Sequence, residues 1–254
     1  MKVCVIIPVY NSENLIVDVV KSVLQYTEYL IVVNDGSTDR TLDALKNISE
    51  ITLISYSKNR GKGYALQQGF RRALELGFTH AVTMDADGQH LATDIATLVQ
   101  ESEKQPDALI VGARKFNNPN MPQGNVFANN FSNFWFTVQT GKRLPDTQTG
   151  FRVYPLQKIG KIHLFTSRYE AELEILVRSA WRNIPIISQE INVHYPPQDE
   201  RLSHFRGGMD FFRISILNTV LCFCTVIWGY PSMLASKIKM KKRNKISCIP
   251  RENY

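Results

Sequence analysis

Apolar and polar positions along the first 113 residues follow two alternating rhythms. Near-continuous, β-branched runs stand at 3–9 (VCVIIPV), 29–35 (YLIVVND), 51–56 (ITLISY), 80–85 (HAVTMD) and 108–113 (ALIVGA). Between them lie amphipathic stretches at 14–25, 38–48, 63–76 and 92–104. The first pattern predicts strands buried on both faces, and the second predicts helices. Strands joined by crossover helices run largely parallel, so the chain is expected to form an open α/β sheet with helices on both sides. After Arg114 the rhythm breaks into a long irregular stretch rich in Asn, Pro and aromatic residues. A segment DTQTGFRVYP (146–155), a helix at 169–181 and a strand at 184–195 follow. The apolar run behind Lys2 is short, contains Pro8 and lacks a small-residue cleavage pattern, so it reads as the first strand rather than a signal segment.

In open α/β sheets, ligands bind beyond the carboxyl ends of the strands. Those ends are polar here: Tyr10, Asn11 and Glu13 after the first strand, Asp35 at the second, 59–63 after the third, and Asp85 with Asp87 after the fourth. One such Asp is as readily a helix cap or turn residue, but four strands ending this way point to a ligand crevice. In TMDADGQH, Asp85 and Asp87 stand two apart, Gly88 permits a sharp turn and Gln89 adds an amide oxygen. Such a set suits Mg²⁺ or Mn²⁺, which keep open positions for water and phosphate oxygens. A D-x-D triplet alone is common and often a solvated turn; its place at the mouth of the sheet gives it weight. Gly61 and Gly63 around Lys62 would let backbone approach a nucleotide, or serve a simple loop before a helix. The spacing is not that of a Walker motif and no G-x-G-x-x-G follows the first strand, which disfavours an ATPase or a dinucleotide enzyme.

Five ordered motifs, IIPVYN (6–11), VVNDGSTD (32–39), NRGKGYAL (59–66), DADGQH (85–90) and DTQTGFR (146–152), resemble the family 2 glycosyltransferases of the GT-A fold, nearest to the dolichyl-phosphate mannose and glucose synthases. The resemblance covers roughly residues 1–206 and implies an inverting, metal-dependent transferase with a nucleotide-diphosphate sugar donor. It implies that Pro8, Tyr10, Glu13 and Asp35 line the nucleoside pocket, that Lys62 approaches the nucleotide, and that Asp85, Asp87 and Gln89 hold the metal, Asp85 also facing the ribose or phosphates. Physically, the departing nucleoside diphosphate needs its charge neutralised, and Lys62 and Arg114 are candidate cations besides the metal.

An alcohol acceptor needs a general base, whereas a lipid phosphate arrives ionised, its second pKa lying near about 6. Asp146 is the foremost acceptor-side carboxylate, with Thr149, Gly150 and Arg152 shaping its loop. Glu172 and Glu174 in RYEAELEIL resemble the acidic helix of lipid-phosphate glucose synthases; with Glu170 they stand at two-residue spacings and cannot share one face. In PPQDERLSHFRGG (196–208), Arg201, Ser203, His204 and Arg206 are candidates to grip acceptor phosphate, alongside Arg152.

Composition refines this picture in one respect. The 254 residues are 44% hydrophobic and 21% charged, a globular profile, with a formal net charge of +7. That charge suggests a polyanion partner, but seven cations and one acid lie beyond residue 236, leaving 23 cations against 22 acids in the body. No basic groove for nucleic acid is expected. Four cysteines without paired spacing fit a reducing cytosol. Residues 214–235 carry no charge, long enough to span a bilayer, yet Ser215, Asn218, Cys222, Thr225 and Gly229 draw a small and polar stripe along them. A cytosolic catalytic body and a cytosolic basic tail exclude a single crossing. The expectation is a helix lying in or dipping into the cytoplasmic leaflet, bent near Pro231, with the tail on anionic membrane lipids. The alternative is a helix buried against the body or a second subunit; the sequence permits a homo-oligomer without specifying one.

The expected organisation is therefore a catalytic domain at 1–206, an apolar membrane-associated segment at 207–236 and a basic tail at 237–254. The leading function is transfer of a sugar from UDP- or GDP-sugar to a polyprenyl phosphate at the cytoplasmic face of the membrane. Transfer to a hydroxyl of a lipid-linked glycan or envelope polymer, and non-catalytic nucleotide-sugar binding, are the alternatives.

Overall fold

A computed structural model describes residues 1–115, 123–194, 207–235 and 238. Seven strands, β1 (Val3–Val9), β2 (Leu30–Asn34), β3 (Ile51–Ser55), β4 (His80–Thr83), β5 (Leu109–Arg114), β6 (Arg152–Pro155) and β7 (Ile186–Ile191), form one sheet ordered β3-β2-β1-β4-β6-β5-β7. Period-two alternation sorts the strand residues onto its faces. Cys4 and Ile6 point to one core, with α3 (Lys62–Glu75), α6 (Leu156–Ile159) and α7 (Glu170–Trp181). Val5, Ile7 and Val9 point to the other, with α1 (Ile16–Leu24), α2 (Thr41–Lys46) and α4 (Asp94–Lys104). The three-layer sandwich expected from the sequence is therefore present, with β1 to β4 parallel at its centre.

Two elements depart from the expected pattern. The DTQTGFRVYP segment ends in β6, which runs antiparallel between β4 and β5 with Val82 opposite Val153 and Ile110 opposite Val153. The stretch expected to be irregular contains an 18-residue helix, α5 (Gln123–Thr140). Its polarity is reversed relative to a water-facing helix, and that reversal hides it from a pattern reading. Asn129 and Asn133 donate inward to the Pro145 carbonyl at 2.9 and 2.8 Å, while Phe127, Phe134 and Val138 are exposed. The last described helix, α8 (Gly207–Cys224), passes into a π-turn (Thr225–Gly229) and on to residue 235. It packs on α5 and α7.

Candidate active site

The site is assembled at the carboxyl ends of the parallel strands and is centred on Lys62. Its ammonium, at the first turn of α3, lies 2.6 Å from Asp85 Oδ1 and 2.7 Å from Glu172 Oε2. The turn before α3 is tightly specified. Gly61 has φ +100°, a region that L side chains rarely adopt, and a Cβ there would sit 2.7 Å from the Ser167 carbonyl. The Ser167 carbonyl also accepts the Tyr64 N–H at 2.8 Å, so the loop before α7 and the start of α3 are locked together. That lock brings Lys62 and Glu172, distant in sequence, onto one ion cluster.

Burial alone would lower the Lys62 pKa, but the charges of Asp85 and Glu172 overcome it and raise the ammonium above its ordinary range. Burial likewise works to raise Asp85, and Lys62 reverses this, holding its carboxyl below the usual value. Asp87 behaves oppositely: burial and then the neighbouring Asp85 charge raise its pKa. Its Oδ1 accepts the Gln89 N–H at 3.0 Å, which shapes the turn, and the Gln89 side chain is half-buried at the same place. Among the described residues, no group of three His, Cys, Asp or Glu side chains forms a metal-ligating cluster. Two adjacent carboxylates with mutual repulsion nevertheless fit a hard divalent cation whose other ligands are water and diphosphate oxygens, and the cation would relieve the repulsion.

Gly150 closes this cluster. A Cβ at that position would lie 2.6 Å from Asp85 Oδ2 and 2.7 Å from Lys62 Nζ, and the Thr83 hydroxyl fixes the residue by donating to its carbonyl at 2.6 Å. Gly150→Ala is expected to push the ion pair apart and lower kcat/KM by about 100-fold, with little change in melting temperature. Steady-state kinetics beside a thermal melt checks both halves.

Several candidate residues have protein partners that the sequence does not announce. Asp146 is fully buried and accepts Arg114 Nε at 2.6 Å and Nη2 at 3.0 Å, with the Gln148 and Thr149 amides at 3.0 and 3.2 Å. Both oxygens are engaged in holding Arg114 and the turn of Asp146 itself. Arg152 is also fully buried, donating to the Thr149, Glu172 and Thr147 carbonyls at 2.7, 2.8 and 3.0 Å. It joins the 146–152 loop to α7. Glu174 turns away from the cluster; it accepts the Phe165 and Thr166 amides at 2.9 Å and pairs with Arg178 at 2.6 Å. Glu174→Gln, by leaving Arg178 buried without its charge partner, is expected to cost about 3 kcal/mol in a denaturant melt.

The nucleoside-side candidates stand where the strands end. Pro8 is buried beside Val33, and Tyr10 is half-buried. Asp35 accepts the Arg60 and Gly61 amides at 2.8 and 2.7 Å and the Asn59 side chain at 3.0 Å, holding the loop that delivers Lys62. Glu13 is exposed and accepts the Arg40 N–H at 2.8 Å, at the start of α2. The Gln89 carbonyl accepts the His194 N–H at 2.8 Å, which places the last residue before 195–206 beside the 85–89 turn. Arg201, Ser203, His204 and Arg206 lie outside the described residues. Two contributors carry no sequence signal: Arg168, which donates to Asn59 Oδ1 at 3.2 Å, and Ser167, which acts through its carbonyl.

Comparison with known proteins agrees with this geometry. The family model described as Glycosyl transferase family 2 matches residues 4–159. The chain is 32% identical over 195 residues to a UDP-N-acetylglucosamine–dolichyl-phosphate N-acetylglucosaminyltransferase of Methanococcus voltae, covering 68% of this chain and 77% of the relative. It is 26% identical over 224 residues to a dolichyl-phosphate beta-glucosyltransferase of Saccharomyces cerevisiae, covering 75% and 66%. Among solved structures, glucosyl-3-phosphoglycerate synthase of Mycobacterium tuberculosis, in complex with Mn²⁺, UDP-glucose and phosphoglyceric acid, matches with a TM-score of 0.65 at 16% identity, covering 87% of this chain and 79% of that one. That likeness shows the fold alone. A strand-end carboxylate pair, a lysine-centred ion cluster and a family match across most of the sheet converge: the chain belongs to glycosyltransferase family 2 and is a glycosyltransferase of GT-A-like fold.

Proposed function

We propose that this enzyme transfers a sugar, with inversion, from a UDP- or GDP-sugar to a polyprenyl phosphate at the cytoplasmic face of the membrane, using Mg²⁺ or Mn²⁺. Residues 1–206 form the catalytic domain, 207–236 the membrane-associated segment and 237–254 the anchoring tail. Asp85, Asp87 and Gln89 hold the cation, and Pro8, Tyr10, Glu13 and Asp35 border the nucleoside. The bound cation supplies a Lewis acid to the departing diphosphate. Lys62 and Arg114 add fixed positive charge there, Arg114 held by its two bonds to Asp146. Glu172 is tied through Oε2 to Lys62 and keeps a buried Oε1 without a protein partner, placed to accept a sugar hydroxyl.

The observation that carries the phosphate acceptor is the full commitment of Asp146. Asp146, the foremost of the acceptor-side carboxylates, has both oxygens held, and an ionised phosphate needs no base. Arg201, Ser203, His204 and Arg206 are the proposed grip on that phosphate, on a segment that begins beside the metal turn. The second reading, transfer to a hydroxyl of a lipid-linked glycan or envelope polymer, draws on the partnerless Glu172 Oε1 as its base.

Incubation with labelled UDP-glucose, UDP-N-acetylglucosamine or GDP-mannose and a polyprenyl phosphate, with Mn²⁺ or EDTA, separates the readings. The expected result is an acid-labile, alkali-stable lipid product from one donor, abolished by EDTA. No product from that acceptor, with an acid-resistant glycoside formed on a hydroxyl acceptor, would favour the second reading.

A further inference from the structure

α8 does not stand away from the catalytic body. Asn218 and Thr225, in its small and polar stripe, are buried, and Gln139 of α5 donates to the Asn218 side chain at 3.0 Å. Gly229 packs so closely on α7 that a Cβ would lie 2.6 Å from Trp181 Nε1. Ser232 donates to the Trp181 carbonyl at 3.1 Å. These contacts run along most of Phe212–Ala235, the one stretch among the described residues long and apolar enough to cross a membrane. A spanning orientation would strip this whole face from its partners and leave Gln139 and Trp181 without theirs.

The opposite face has no protein cover. Phe223, Val226 and Ile227 are 69%, 71% and 78% exposed, and on the adjacent α5 Phe127 and Phe134 are 68% and 59% exposed. Between the two helices lies a groove of about 460 Å³, lined by Phe131, Trp135, Cys222, Phe223 and Val226 among others. α5 turns Asn129, Ser132 and Gln139 inward with Phe136, α8 turns Asn218 and Thr225 inward with Leu217 and Leu221, and both leave large apolar side chains facing outward, unlike a water-facing surface. Just beyond Ala235 come Lys237, Lys239, Lys241, Lys242, Arg243 and Lys245 without an acid. An apolar face followed in sequence by this much positive charge is complementary to an anionic lipid leaflet; a second copy of the chain would bring like charge.

We propose that α5 and α8 together form a one-sided lipid-docking face that lies along a single leaflet, with α5 contributing a full part of the buried surface and neither helix crossing the bilayer. The inference stands apart from the identity of donor and acceptor, because its readouts do not use turnover. The full chain is added to preformed phosphatidylcholine vesicles containing phosphatidylglycerol, and binding is measured by sedimentation. F127S combined with F134S, at two exposed side chains outside the ion cluster, is expected to weaken binding at least about tenfold while the thermal melt is kept. V226S combined with I227S on α8 is expected to do the same. In the bound wild type, Cys248 of the tail is expected to react with a membrane-impermeant maleimide outside the vesicles. Unchanged binding of the α5 variant, or Cys248 protected until detergent is added, would overturn the proposal. So would an apolar face buried in a dimer that the same α5 substitutions dissociate.

Discussion

Asp87→Asn is expected to lower turnover at least about 10³-fold and, in EDTA, to raise the melting temperature. The two effects share one cause. Asp87 sits beside Asp85 in a half-buried turn, and burial with that neighbouring charge makes its ionised form unfavourable. Without a cation, a neutral amide at this position removes like-charge repulsion and stabilises the fold. With the cation, the same amide removes a carboxylate ligand, and the lost charge neutralisation on the departing diphosphate is worth several kcal/mol in the transition state. Single-turnover rates and paired melts with Mn²⁺ and EDTA measure both. A variant that melts lower in EDTA, or turns over undiminished, contradicts the assignment.

Lys62→Met carries the second large effect. The lysine is the only cation in ion-pair contact with Asp85 and Glu172 among the described residues, and its side chain is 15% exposed against 24% and 7% for its partners. Removing it leaves two buried carboxylates facing each other, which is expected to cost about 3–5 kcal/mol of stability. Activity is expected to fall about 100-fold or more as the fixed charge at the diphosphate disappears. Combining Lys62→Met with Glu172→Gln tests the cause: the double variant is expected to recover part of the lost stability and none of the lost activity. Additive destabilisation would show that the cluster is not the source.

The sequence carried the sheet well because strands buried on both faces leave a dense apolar record, as in VCVIIPV and YLIVVND. It carried the strand-end acids for the same reason, since Asp35 and Asp85 interrupt that record abruptly. It did not carry α5, whose buried side is Asn129, Ser132, Gln139 and Thr140 around Phe136; a helix with mostly polar residues inward does not show the expected periodicity. Nor did it carry the partners of the charged residues: Asp146, Arg152 and Glu174 meet backbone amides, backbone carbonyls or a buried partner that only the fold brings near. The pairing of Lys62 with Glu172 depends on glycines at 61 and 63 packing against the start of α7, a contact with no local signature. The run of cations after Ala235 is legible in the sequence, while the exposed apolar side of α5 is not, because its residues are interleaved with Asn and Gln.

The account turns on the acceptor being a phosphate that needs no deprotonation. The most direct measurement supplies the enzyme, in matched detergent micelles with Mn²⁺ and its best labelled donor, with either a polyprenyl phosphate or the corresponding polyprenol. The account predicts sugar transfer to the phosphate alone, as an acid-labile phosphodiester, and none to the alcohol. Efficient transfer to the polyprenol, or equal transfer to both, would contradict it.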